Sequence, residues 1–229
     1  MIQNINTNTR ISIQVSLSGY SFKVEGPEGT GASGWMSADR VFTTPEFQKR
    51  YGSVRISLMT HKCTLVPEHF FSPADARSIL SEVVALKEND HVDYVRIGQS
   101  GAVLVYSGSI GETLSKVIAQ NVLTEDGYQA RILPELYYLL EAVDSVQEYN
   151  KIIASYADGY LHLVIAQGRS LMLANIFKAP DFTTAEYFIF NAMKKLQLNP
   201  EVSTICFRTP ISPEEEISLY RYFKAVERI

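Results

Sequence analysis

Near its start the chain reads Ile13-Gln14-Val15-Ser16-Leu17-Ser18-Gly19-Tyr20, and far downstream the pattern returns as Ile153-Ala154-Ser155-Tyr156-Ala157-Asp158-Gly159-Tyr160. Each stretch is a strand, a small-residue turn closed by Gly-Tyr, and a strand again. Around the first turn, Ile11, Ile13, Val15 and Leu17 alternate on one face and Tyr20, Phe22 and Val24 on the returning strand, the period-2 signature of an antiparallel hairpin. The echo implies one structural plan used twice.

Working outward, residues 26–34 are glycine-rich and read as a mobile hairpin loop, followed by a short third strand around Trp35 and a helix start at Thr44-Pro45-Glu46. Residues 53–59 and 63–66 read as strands. Ser72-Pro73-Ala74-Asp75 opens a helix to about Lys87, with Ile79, Leu80, Val83, Val84 and Leu86 as its apolar stripe, because serine caps a helix and proline suits its first turn. A second hairpin joins 94–97 to 102–106 through Gln99-Ser100-Gly101, and helices follow at 110–120 and 134–144. Beyond them come strands at 152–156, 160–166 and 170–177, a helix at 183–196 and a short strand at 204–208. The last helix starts at Ser212-Pro213 with Glu214, Glu215 and Glu216 in its first turn, where carboxylates complement the helix dipole, and carries Leu219, Tyr222, Phe223 and Val226 on one face.

The chain has 229 residues, 46% hydrophobic and 20% charged, enough to bury a sizeable core. Its 21 basic and 25 acidic residues give a net charge of −4 with no long basic run, so nucleic acid is not an expected partner. The first ten residues lack the basic and apolar regions of a secretory signal, and no apolar stretch is long enough to span a membrane. With only Cys63 and Cys206, each in an apolar β segment, a reduced, cytoplasmic setting is expected.

Three antiparallel strands, helix, strand, helix in the second half is the order of a ribonuclease-H-like unit, and the first half follows the same plan with insertions. Two such halves, 1–147 and 148–229, give an α/β fold of mixed sheets flanked by helices in an actin-like ATPase arrangement. Thr64-Leu65-Val66-Pro67 with Phe70-Phe71, then Leu173-Ala174-Asn175-Ile176-Phe177 and Glu186-Tyr187-Phe188-Ile189-Phe190 carry a resemblance. Through them nearly the whole chain resembles an uncharacterised bacterial family with a degenerate actin-like ATPase fold, similar in architecture to pilus-assembly and cell-division proteins. These segments are apolar, and what they imply is architecture.

An active actin-like ATPase needs an acidic residue at each of two phosphate hairpins, with glycines that let the backbone approach the phosphates. Before the first turn this chain offers Gln14, Ser16 and Ser18; the second turn has Asp158-Gly159, a pair that an ordinary tight hairpin also favours. Where paired glycines would hold adenosine it has Phe207-Arg208-Thr209-Pro210-Ile211. The expectation is therefore a non-catalytic pseudo-ATPase that holds another protein as scaffold or adaptor. The alternative is a nucleotide-binding protein with weak ATPase or phosphotransfer activity in the cleft between the halves. Candidate cleft residues are Ser18, Gly19, Asp158 and Gly159; no catalytic residue, metal site or cofactor is expected.

Other motifs give weaker readings. Gly29-Thr30-Gly31-Ala32-Ser33-Gly34 matches the dinucleotide pattern by letter, but Pro27 before it and the lack of a helical stripe after it remove the context that pattern needs. His61, His69, His91 and His162 are scattered without metal-ligand spacing. No nucleophile elbow surrounds Ser16 or Ser107. The 13 tyrosines, among them Tyr137, Tyr138, Tyr187, Tyr220 and Tyr222, are expected chiefly in core and domain-interface packing.

Overall fold

A computed structural model describes residues 9–98, 100–109 and 111–229. Gln99 of the expected second hairpin turn, Ile110 of the expected helix start and the first eight residues lie outside the described residues. The chain divides into two compact units, residues up to Met59 with Ser109–Leu133, and Thr60–Gly108 with Pro134–Ile229.

In the first unit, β1 (Arg10–Val15) and β2 (Tyr20–Gly26) form the expected hairpin, joined antiparallel to β3 (Gly29–Ala32), while β1 pairs in parallel with β4 (Ser53–Leu58). Ile11, Ile13 and Val15 point into a core with Phe47, Tyr51, Ile56 and Ile118. Leu17, expected on the same face, is 68% exposed, because the strand has ended and the chain is already turning.

The glycine-rich stretch is a strand, where a mobile loop and then a strand at Trp35 were expected. Gly26 pairs with Gly29 around Pro27-Glu28, and Gly29 takes φ +122°, a conformation that suits glycine. All four residues of β3 are exposed. An edge strand with both faces in solvent needs no apolar alternation, so it leaves no periodic mark in the sequence. The strand at Trp35 reduces to one bridge between Tyr20 and Met36, and the helix start at Thr44 to a single 3₁₀ turn, Pro45–Gln48.

The second unit opens with β5 (Cys63–Pro67), and the expected long helix after it is cut to a 3₁₀ turn and α1 (Ala76–Ser81). Ser72 makes no capping bond, and Val83 is 58% exposed. The Arg77 guanidinium binds the carbonyls of Lys87 at 2.8 Å and Asp90 at 2.6 Å, while the Asp90 carboxylate accepts from the Lys87 N–H at 2.8 Å. That clamp turns the chain back under α1 and competes with helix beyond Ser81. β6 (Val92–Ile97) and β7 (Ala102–Ser107) complete a three-stranded sheet in the order β5-β7-β6.

α2 (Glu112–Asn121) and β8 (Ile132–Pro134) return the chain to the first sheet, whose order is β3-β2-β1-β4-β8. There follow α3 (Glu135–Ala142), then β9 (Asn150–Ala157), β10 (Tyr160–Gln167), β11 (Ser170–Lys178), α4 (Phe182–Lys195), β12 (Thr204–Phe207), α5 (Pro213–Tyr220) and β13 (Ala225–Arg228). The sheet order is β11-β10-β9-β12-β13.

β13 corrects the expectation of one long terminal helix. α5 ends at Tyr220, and residues 225–228 pair in parallel with β12. Leu219, Phe223 and Val226 still share one core with Ile152, Leu163, Ile189 and Phe207, which is why their spacing imitated a helical stripe. That core lies on the α4 and α5 face of the sheet; α3 packs on β9 and β10 from the other face. Among the described residues no helix is long and apolar enough to cross a membrane.

Candidate functional site

The two hairpin turns carry the residues that sequence reasoning singled out, Ser18 and Gly19 in the first unit, Asp158 and Gly159 in the second. In the first turn the Ser16 N–H donates to the Gly19 carbonyl at 2.8 Å and the hydroxyls of Ser16 and Ser18 lie 3.0 Å apart. A Cβ on Gly19 would stand 2.0 Å from the Met36 carbonyl oxygen, which accepts the Tyr20 N–H at 2.9 Å. Packing of residues 35–37 against the turn therefore accounts for the glycine.

In the second turn Asp158 and Gly159 have φ of 50° and 75°, the two left-handed positions of a type I′ hairpin, for which Asp-Gly is a preferred pair. Gly159 also accepts the Ala179 N–H at 2.8 Å. Asp158 is exposed.

On the α3 face of the second sheet lies a buried polar group that spacing could not reveal. Strand alternation puts Ser155 and His162 opposite each other on that face, away from Ala154 and Leu163. Glu135, the first residue of α3, is fully buried; it accepts from the Ser155 hydroxyl at 2.7 Å and from Arg208 Nη1 at 3.2 Å to each carboxylate oxygen. The Arg208 guanidinium also lies 5.1 Å from the centre of the Tyr138 ring. This ion pair joins α3 to the end of β12, and its carboxylate is occupied by partners of its own chain. Thr209 is consumed likewise, its hydroxyl accepting the Tyr156 N–H at 2.9 Å.

The only sequence signal for His162 is a polar residue inside the apolar run Leu161-His162-Leu163-Val164-Ile165. Glu135, Ser155 and Arg208 come from three separate elements, with no common motif. A second buried pair, Lys62 Nζ with the Asp90 carboxylate, anchors the start of β5. Burial pushes the thiols of both Cys63 and Cys206 up to about 12, so neither is a thiolate nucleophile at neutral pH. Among the described residues no group of three or more His, Cys, Asp or Glu could hold a metal ion. Of the tyrosines expected in packing, Tyr138 is buried, whereas Tyr187, Tyr220 and Tyr222 are at least half exposed.

Residues 2–226 match the model of a family described as protein of unknown function, DUF3822. The chain belongs to this family. No curated protein matches it. Among solved structures, the DUF3822 chain is similar to a Bacteroides thetaiotaomicron protein with an actin-like ATPase fold and unknown function. The identity is 18%, over 100% of this chain and 94% of that one, with a TM-score of 0.68. It is also similar to a PilM-PilN type IV pilus biogenesis complex at 11% identity, over 96% of this chain and 88% of that one, with a TM-score of 0.52. These likenesses establish the actin-like ATPase fold and bear out the architecture expected from the repeated hairpin.

Proposed function

We propose that this DUF3822 chain is a non-catalytic, cytoplasmic member of the actin-like fold that serves as a scaffold or adaptor for another protein. The observation that carries the reading is the state of the two hairpin turns. The first offers hydroxyls where an ATPase of this fold needs a carboxylate, and its glycine is required by the Met36 carbonyl. In the second, both residues are what a type I′ turn demands. Nearby polar groups of the same unit, Glu135 with Arg208 and Ser155, are bound to one another, which leaves that carboxylate no role in holding magnesium or water.

A protein partner is favoured over a small ligand by two features. The similar pilus structure is a complex of two proteins, and the exposed Tyr187, Tyr220 and Tyr222 are of the residue type enriched at protein interfaces. The test is affinity purification of the tagged chain after cross-linking in its own cells, with and without added ATP. One protein should be recovered in fixed proportion under both conditions. Recovery of no specific protein, together with magnesium-dependent phosphate release by the purified chain, would replace it with the nucleotide-hydrolysing alternative.

A further inference from the structure

His162 lies in the middle of β10, fully buried, with Ser155 opposite it on β9 and Ile176 on β11. Neither Nδ1 nor Nε2 has a hydrogen-bond partner, a costly arrangement for a buried imidazole. Two residues along the same face is Tyr160, on whose ring the His61 ring stacks with centroids 4.3 Å apart and planes 7° from parallel. His61 belongs to the short segment 60–62 that leads into β5. That segment is tied on its other side: Thr60 donates its hydroxyl to the Ser107 carbonyl at 2.9 Å, Ser107 donates its N–H to the Lys62 carbonyl at 2.8 Å, and Lys62 binds Asp90.

The surroundings offer a proton on His162 nothing to offset its charge. His61 is the charged or titratable group that acts on it directly, with Lys62 acting on His61 in turn; on the same face of the sheet are Glu135, bound to the Ser155 opposite His162, Arg208, bound to Glu135, and Cys206, in register with Ile153. Lys62 is bound to Asp90, and Glu135 to Arg208 and Ser155; the β11 neighbour, Ile176, is apolar. Burial first, and His61 second, hold His162 down to about 3; burial and then Lys62 hold His61 below the usual histidine range.

We propose that residues 60–62 form an acid-released latch on the second sheet, closed while the imidazoles of His61 and His162 are neutral and opened when acid lets them take protons in water. The sign follows from linkage. The closed form refuses a proton that the open form, with His162 solvated near its ordinary pKa of about 6.5, accepts, so the latch is most stable above that value and weakens as pH falls. For His162 alone the opening equilibrium rises about 25-fold from pH 7 to pH 5, and His61 adds in the same direction.

The measurement is amide hydrogen exchange on the whole chain at pH 7 and pH 5, corrected for intrinsic rates, at Lys62 and Ser107 against amides of β12 and α4. Protection at Lys62 and Ser107 should fall about 25-fold or more while β12 and α4 hold. His162→Phe should abolish most of the fall, and His61→Phe, which keeps a ring over Tyr160, should remove only part. Unchanged protection, an equal fall across the whole unit, or the same local fall in both variants would overturn the latch.

Discussion

Gly19 and Asp158-Gly159 occupy equivalent turns but are fixed by different forces. At Gly19 the constraint is steric: any side chain meets the Met36 carbonyl at 2.0 Å. Gly19→Ala should therefore destabilise the chain by about 1–3 kcal/mol, the range of a forced clash in a packed site, as measured by urea unfolding; a loss under about 0.5 kcal/mol would show that residues 35–37 yield freely. At Glu135 and Arg208 the force is electrostatic. Arg208→Met leaves a buried carboxylate without its cation and should cost about 3–5 kcal/mol, whereas Glu135→Gln combined with Arg208→Met should recover much of that. Additive losses in the double variant would contradict the pairing. Neither the Gly19 clash nor the Glu135–Arg208 pair was legible in the sequence. Glu135 and Arg208 are distant in the chain, and a glycine required by a carbonyl from another segment looks like any turn glycine.

Elements were legible where at least one face is buried and illegible where neither is. The alternation of Ile11, Ile13 and Val15 against a buried core announced β1, and the Asp-Gly pair announced the β9-β10 turn. β3 went unseen because its four exposed residues have no buried face. β13 reads as helix in the sequence because Phe223 and Val226 reach the same core as Leu219 by way of a turn. α5 was placed correctly at its start, and the reason is its cap. Ser212 accepts the Glu215 N–H at 3.2 Å while the Glu215 carboxylate accepts the Ser212 N–H at 2.7 Å, and proline fills the first position. Ser212→Ala should lower stability by about 1 kcal/mol in chemical denaturation, and Ser212→Asp should largely restore it; no loss with alanine would mean that α5 is held by packing alone.

Over the whole chain, the two five-stranded sheets share one order, three antiparallel strands followed outward from the first strand by two more. The repeated hairpin exposed this plan in the sequence. What differs between the copies is the matter joining the strands. Where α4 stands between the third and fourth strands of the second sheet, the first has only 3₁₀ turns, and residues 60–108 are inserted after its fourth strand. Insertions of that kind follow no repeat, so sequence comparison of the halves could not place them. The shared plan is that of the actin-like architecture, and of its two equivalent turns only the second carries a carboxylate, Asp158. The proposed role, a framework without nucleotide chemistry, is put to the test by thermal unfolding with and without millimolar magnesium ATP. Nucleotide at 100 times its dissociation constant would stabilise the fold by about 2.7 kcal/mol, a rise of roughly 5–10 °C for a chain of this size. No shift is expected; a rise of that size, abolished by Asp158→Ala, would establish nucleotide binding at the second turn and overturn the proposed role.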